Sequence, residues 1–404
     1  MMRTEDKTRM TEGSISRKII LFAIPLFLGN LFQQLYNTAD SLIVGNYLGS
    51  NALAAVSSSG NLIFLMVGFI NGIAMGAGVV IARYYGAKDR ANLEKSIHTT
   101  VAFGIAAGIA LTVIGMLLAP KILVLMGTPA EVLPESITYF RTYFAGSIGV
   151  IMYNIFVGIL QSVGDSRHPL IYLIISSCIN VVLDIFFIVR LHMGVDGCAW
   201  ATVISQGISA LLCLIYMIRR FELLKLSKED FRKDFPVMGR LLAIGIPMGL
   251  QFSITAIGTI IVQGAVNIFG AVYIAGFSAA GKIQNLVASV FVSFGATIAT
   301  YVGQNRGAGN MERIRQGVRS TQIMILIWSV VMFTFIQIAG GPMIHIFVDP
   351  AQTEVVQAAK DYFTAVAWCY PFLGSIFLYR NALQGLGYGL VPMMGYLNWW
   401  PELW

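Results

Sequence analysis

Long apolar runs separated by short polar breaks dominate this chain, and each run is long enough to cross a bilayer as a helix. The pattern predicts spans near 18–46, 53–82, 96–118, 136–161, 169–189, 197–218, 240–266, 273–302, 318–340 and 357–386, with an eleventh beginning near 388. One run departs from plain hydrophobicity. LFQQLYNTADSLIVGNYLG, residues 31–49, carries Gln33, Tyr36, Asn37 and Asp40 at i, i+3, i+4 and i+7. Those positions share one helical face, so the first span presents a polar stripe that ends in a carboxylate.

Composition sharpens this into a class. Of 404 residues, 56% are hydrophobic and 12% charged, and mean hydropathy is +0.73. That excludes a soluble globular protein. A transmembrane β-barrel would show segments of about ten alternating residues instead. The expected fold is all-α and polytopic, a multi-pass protein of the plasma membrane with the bilayer as its surroundings.

The net charge of +7 could point to nucleic acid, but its distribution does not. With the N-terminus placed in the cytoplasm, 21 basic residues fall on the inner side, and only Lys121 and Arg190 fall on the outer side. No short apolar segment with a cleavage site follows residues 1–16, which read as a cytoplasmic tail. Cys178, Cys198, Cys213 and Cys369 show no metal or disulfide spacing and read as small buried residues.

The chain also repeats itself. AIP at 23–25 returns as GIP at 245–247, and SSSG at 57–60 as SAAG at 278–281. YGAKDR at 85–90 returns as RGAGNM at 306–311, LAP at 118–120 as GGP at 340–342, and LQSVGDSRHP at 160–169 as LQGLGYGLVP at 383–392. The offset stays between 221 and 223. Each full repeat holds six spans, an even number, so both copies have the same orientation. They should be related by a pseudo-twofold axis along the membrane normal, with a cleft between them. The expected organisation is an N-lobe over 17–220, a cytoplasmic linker over 221–238 and a C-lobe over 239–404. By the repeat arithmetic the second bundle is expected to be incomplete by roughly two helices.

Among the acidic residues, Asp40 and Asp184 lie well inside apolar spans. A carboxylate at the bilayer centre costs about 2.5–3.5 kcal/mol on insertion scales, so it marks function by default. Asn180 precedes Asp184 by one helical turn, and Asn154 and Gln161 lie on the fourth span. The alternative reading is a polar cluster that only glues helices, worth about 0.6 kcal/mol per hydrogen bond. In the second copy Val262 stands at the position of Asp40, and Lys282 lies near Gln284 and Asn285. Lys282 reads first as a snorkelling or structurally paired residue. Pro25 and Pro247 hold matching places in the first span of each copy and each removes a helical hydrogen bond, giving a hinge or a fixed kink. There is no Walker A sequence, no HExxH and no GxGD, so neither ATP hydrolysis nor intramembrane proteolysis is indicated.

These residues resemble a known family. IPLFLGNLFQQLYNTADSLIVGNYLG, the GAKDR loop, LQSVGDSRHP and GVDGCAWATVISQ at 194–206 are similar to the multidrug and toxic compound extrusion (MATE) transporters, over about 17–393. The resemblance implies two six-helix lobes around a V-shaped cleft, exporting bulky, often cationic, amphipathic compounds in exchange for H⁺ or Na⁺. It implies that Asp40, Asn180, Asp184 and Thr202 form the N-lobe ion site, which would hold Na⁺ if that is the coupling ion. It further implies that Tyr36, Asn37, Tyr139 and Asn154 form the surrounding polar network, and Gln33 and Lys282 are expected beside them as substrate-binding or supporting residues. In one branch a carboxylate eight residues after the seventh-helix proline binds the cation, and here that residue is Thr255. Coupling is therefore expected at the N-lobe site alone. No cofactor beyond the coupling ion, no enzymatic activity, no nucleic acid and no obligatory protein partner are expected, and the chain should act as a monomer. A lipid-linked saccharide flippase shares the two-bundle plan but calls for a cation-rich cleft, and only Lys282, Arg380 and Arg141 lie within spans. A membrane-embedded hydrolase using the two aspartates is a more distant alternative.

Overall fold

The computed structural model describes residues 9–125, 128–220, 235–345, 348 and 352–398. Most of the expected linker, 221–234, and the tail residues 1–8 lie outside this set. The helices are α1 (Ile15–Tyr47), α2 (Ser50–Gly86), α3 (Arg90–Leu125), α4 (Leu133–Ala145), α5 (Ser147–Ser162) and α6 (Arg167–Asp184). A π-helical turn (Ile185–Arg190) continues α6, and then come α7 (Val195–Arg220), α8 (Phe235–Ile268), α9 (Ala271–Gly307), α10 (Met311–Ile344), α11 (Thr353–Gly385) and α12 (Leu390–Asn398). Among the described residues nine helices are long and apolar enough to span a membrane, and α4 with α5 makes a tenth, bent by 52°.

The span expected near 136–161 is present, broken in two by that bend. The break falls at Gly146, where a Cβ would collide with the side chain of Val203 on α7. Three residues on, a Cβ at Gly149 would lie 3.3 Å from Gly207 Cα on the same helix. The absence of side chains lets α4 and α5 fold around α7, a contact that hydropathy does not register.

The repeat is visible in the backbone. Left-handed residues recur in pairs: Gly49 (φ 91°) with Gly270 (89°), Lys88 (57°) with Gly309 (72°), and Gly164 (90°) with Gly387 (86°). Helix starts repeat as well. Asp89 Oδ1 accepts the Asn92 N–H at 3.2 Å, and Asn310 Oδ1 accepts the Arg313 N–H at 3.2 Å. The Asn92 hydrogen bonds hold the exposed Asp89 carboxyl below the usual carboxylate range.

Two apolar cores follow the two repeats, one running from Val44 to Met217 and the other built mainly from residues 279–382. The first helix of each repeat crosses the boundary. Ile19 and Phe22 at the start of α1 are buried in the second core. Val237 and Leu241 at the start of α8 pack against Ala77 and Val80 of α2.

The lobes meet closely at only one end, the end that carries the N-terminus and most basic residues. There GIAMG (72–76) of α2 faces GIPMG (245–249) of α8. A Cβ on Gly76 would lie 2.6 Å from Gly245 N, and one on Gly245 would lie 2.9 Å from Ile73 Cα. Two glycines four apart on each helix let the backbones touch. The ends of α2 and α9 cross just as tightly: a Cβ on Gly86 would lie 2.7 Å from Gln304 Cα. Toward the other end, Gly49, Gly60, Gly258, Gly264 and Gly270 have nothing within 4 Å of a Cβ position. The two bundles therefore converge at the basic end and diverge into a cleft at the other.

The chain before α1 seals the convergence. Met10 is buried at 1% exposure. Its N–H donates to Gln304 Oε1 (2.9 Å), and its carbonyl accepts from Arg313 Nε (3.2 Å) and Asn305 Nδ2 (3.4 Å). Gln304 Nε2 in turn donates to the Ser162 carbonyl of the first bundle (2.8 Å).

Gly76→Ala should lower stability by about 1–3 kcal/mol, because the added methyl meets backbone rather than a movable side chain. Gly258→Ala, in open space, should be neutral. Thermal unfolding of the purified variants, followed by tryptophan fluorescence, checks this; an unchanged Tm for Gly76→Ala would contradict the contact.

Candidate functional site

Three helices of the first bundle bring polar groups together. Asp40 (8% exposed) comes from α1, Asp184 (0%) from the last residue of α6, and Cys198 (0%) from the first turn of α7. One ligand atom from each lies within 4.8 Å of the others. The π-helical turn begins just after Asp184, a local widening of the kind that recurs at functional sites.

These groups are left unsatisfied by the protein. Asp40 Oδ1, both carboxylate oxygens of Asp184, and both side-chain polar atoms of Asn180 are buried without a hydrogen-bond partner. An orphaned buried polar atom costs about 1–3 kcal/mol, more if charged, so such a cluster is expected to hold something else. Asn180 sits one turn before Asp184 on α6, and Thr202 one turn after Cys198 on α7, both buried. The cluster itself is two carboxylates with a thiol alongside, and the Asn180 amide and Thr202 hydroxyl stand one helical turn away on the same two helices. It fits a proton shared by the carboxylates, or an oxygen-preferring cation.

The surroundings hold α6 and α7 in register. Ser176 Oγ donates to the Ser205 carbonyl (2.9 Å), and Ser209 Oγ to the Tyr172 carbonyl (2.9 Å). Further toward the basic end, the LQSVGDSRHP motif forms a cluster around Asp165. Its carboxylate accepts the N–H groups of Arg167 and His168 (both 3.2 Å), His168 Nδ1 (2.7 Å) and the Tyr216 hydroxyl (2.9 Å). The His168 ring stacks on Tyr216 at 4.0 Å. This cluster starts α6 and ties it to α7, and so sets the height of Asp184.

The other sequence candidates divide. Tyr139 is buried on α4, its ring 6.5 Å from Tyr143, and Tyr36 packs half-buried against the first core. Gln33 and Asn37 are exposed on α1. Asn154 turns back on its own helix, donating to the Val150 carbonyl (2.8 Å). Lys282 is exposed on α9, in the other repeat. Pro25 and Pro247 are both buried where their helices cross between bundles, and both helices run through them unbroken. Cys198 was missed by sequence reasoning. Cys198 and Cys213 are buried, as expected, while Cys178 and Cys369 are exposed, against expectation. No spacing could flag Cys198, because one of its neighbours, Asp40, lies on a helix far away in the chain and the other, Asp184, across a turn whose geometry the sequence does not record.

Comparison with known proteins bears on the family and the fold. The MatE family pattern matches residues 25–186 and 247–397, and the chain belongs to that family. Among its relatives, the probable multidrug resistance protein YpnP of Bacillus subtilis is 28% identical over 391 residues, 96% of this chain and 87% of that protein. The probable multidrug resistance protein NorM of Thermotoga maritima is 26% identical over 386 residues, 94% of this chain and 82% of its own. A solved outward-facing conformation of a multidrug resistance MATE family transporter superposes with a TM-score of 0.90 at 21% identity, covering 96% of this chain and 86% of that one. A variant of the Vibrio cholerae MATE transporter VcmN gives 0.89 at 19% identity, covering 95% and 86%. The fold is thus the MATE fold, two pseudo-symmetric helical bundles about a cleft, and the chain is a multi-pass membrane protein.

Asp165→Ala should destabilise the protein by about 1–2 kcal/mol through loss of the helix-start hydrogen bonds. Tyr216→Phe removes one bond and should cost about 1 kcal/mol. Thermal unfolding of both variants tests the order, and a larger effect for Tyr216→Phe would contradict it.

Proposed function

We propose that this chain is a secondary active efflux transporter, exporting bulky amphipathic, often cationic, compounds in exchange for H⁺ or Na⁺ across the plasma membrane. The basic end faces the cytoplasm, as the distribution of Lys and Arg favours. The cleft then opens outward, the state in which substrate leaves and the coupling ion enters.

The observation that carries this reading is the pair of buried, unpartnered carboxylates, Asp40 and Asp184, placed side by side on different helices. Two adjacent negative charges in a low dielectric repel strongly, so the pair is most stable with one proton between them or with a cation bound. Asn180 and Thr202 complete an oxygen shell for Na⁺. Ion entry neutralises the base of the polar stripe on α1, which carries Gln33, Tyr36 and Asn37 toward the cleft. Loss of the ion leaves a charge that attracts a cationic substrate. Exchange requires only that ion and substrate favour different arrangements of the same helices. Pro25 and Pro247 are the places where bending is easiest, since each leaves the carbonyl one turn earlier without its helical partner. Names of relatives such as multidrug resistance protein support the substrate class.

Efflux of a fluorescent lipophilic cation from membrane vesicles, with pH and Na⁺ gradients imposed separately, tests the proposal. Asp40→Asn and Asp184→Asn should each reduce gradient-driven transport at least tenfold, on the order of 1.4 kcal/mol of lost coupling, at unchanged protein level. Normal efflux in both variants would refute the assignment.

A further inference from the structure

A groove of about 380 Å³ lies on the outer flank of the second bundle, between α10 and α11, far from the aspartate cluster. Its polar lining is Arg315, Arg319 and Gln322 of α10 and Tyr379 of α11, and Val318 and Ile323 supply apolar walls. Arg315 and Arg319 are one turn apart and point into the same groove. Both are exposed. Arg315 is held only loosely, 3.7 Å from an exposed Glu312, and Arg319 is paired with no carboxylate among the described residues. Gln322 donates to Ser375 Oγ (3.0 Å), while its Oε1 is buried without a partner.

The depth and the continuation of the groove matter as much as its charge. Arg319 lies eight residues into α10, about 12 Å from the basic end of that helix, the level of lipid headgroups and glycerol. Beyond the arginines α10 exposes apolar residues along this line, Ile327 and Val330 following Ile323, before Thr334 one turn further on. The antiparallel α11 exposes Ile376 and Phe372 beyond Tyr379. A cationic head site thus opens into an apolar furrow that runs toward the membrane centre.

The fold itself does not require this pair. At the repeat offset of 221, Arg315 and Arg319 correspond to Glu94 and His98 of α3, so the arginine pair is not repeated at the matching positions, although α3 carries Arg90 and Lys95 elsewhere in its first two turns. We infer that the α10–α11 groove is a binding site for an anionic phospholipid of the cytoplasmic leaflet, with Arg315 and Arg319 on the phosphate, the Tyr379 hydroxyl beside it and an acyl chain in the furrow. The inference rests on the orientation proposed above. It does not depend on the ion-exchange assignment, because its test reads lipid and not transport.

The purified full chain, exchanged into mixed micelles with equal phosphatidylglycerol and phosphatidylcholine, is examined by native mass spectrometry. Wild type should retain phosphatidylglycerol roughly tenfold in preference, and the double variant Arg315→Gln with Arg319→Gln should fall to parity. Arg90→Gln, which removes an exposed basic-end charge elsewhere, should leave the preference intact and controls for loss of general charge. Inorganic phosphate at millimolar concentration should not displace the lipid. The inference is overturned by equal retention of the two lipids in wild type, by an unchanged preference in the double variant, by an equal loss in Arg90→Gln, or by displacement with phosphate alone. If the double variant unfolds, Tyr379→Phe together with Arg319→Lys gives the milder reading: a reduced preference supports the site, and an unchanged one overturns it.

Discussion

The backbone contact between α2 and α8 is the constraint on which the rest of this structure depends. Gly72, Gly76, Gly245 and Gly249 bring backbone against backbone at the crossing, with Ile73 and Phe69 beside it, so two helices from different bundles approach closely. That contact fixes one end of the molecule and leaves the other free to diverge. The cleft is therefore a consequence of where the small residues are placed. The corresponding crossing of α1 and α9 is built differently, with Asn30 donating to Ser293 at 3.2 Å. The pseudo-symmetry of the chain is thus a symmetry of path, and the chemistry at its two crossings is unequal.

The candidate site shows the same inequality in sharper form. The first bundle carries carboxylates at its centre, whereas in the second repeat Val262 stands at the position of Asp40 and Thr255 eight residues after Pro247. The side chains of α6 and α7 are fastened to one another by Ser176, Ser209 and the Asp165–Tyr216 bond, while Asp40 comes from a helix whose opposite end belongs to the other bundle. The aspartate pair therefore joins a rigid two-helix unit to the helix that bridges the bundles. A change of charge at that junction acts on the element best placed to transmit it.

Much of this was legible in the sequence, for identifiable reasons. The helices followed from hydropathy because a bilayer leaves a chain little choice but to close its hydrogen bonds within each span. The repeat was legible partly because a turn residue with a left-handed backbone tolerates few substitutes, so Gly164 of LQSVGDSRHP recurs as Gly387. Asp40, Asn180 and Asp184 were legible because polar residues in apolar runs are costly. What escaped was whatever depends on contact between distant segments. Cys198 looked like any small apolar residue until α7 met α1 and α6. Gly146 broke a span because of Val203, and nothing in the local pattern of residues 136–161 records that collision. Met10 lies in a stretch that reads as a tail, yet it is among the most buried residues in the protein, because its partners lie some three hundred positions away.

Gln304 gives the closed end a particular mechanical character. Its amide nitrogen is committed to Ser162 in one half of the protein, and its amide oxygen to the peptide of Met10, which is itself clamped by Asn305 and Arg313. A single side chain thus serves two clients, and parting the halves strands a buried amide together with the peptide groups around Met10. Loosening by small degrees gains nothing until all of these groups reach water. The closed end should accordingly behave as a latch, fully shut or fully released, and Met10 with the segment that leads from it into α1 is part of its bolt.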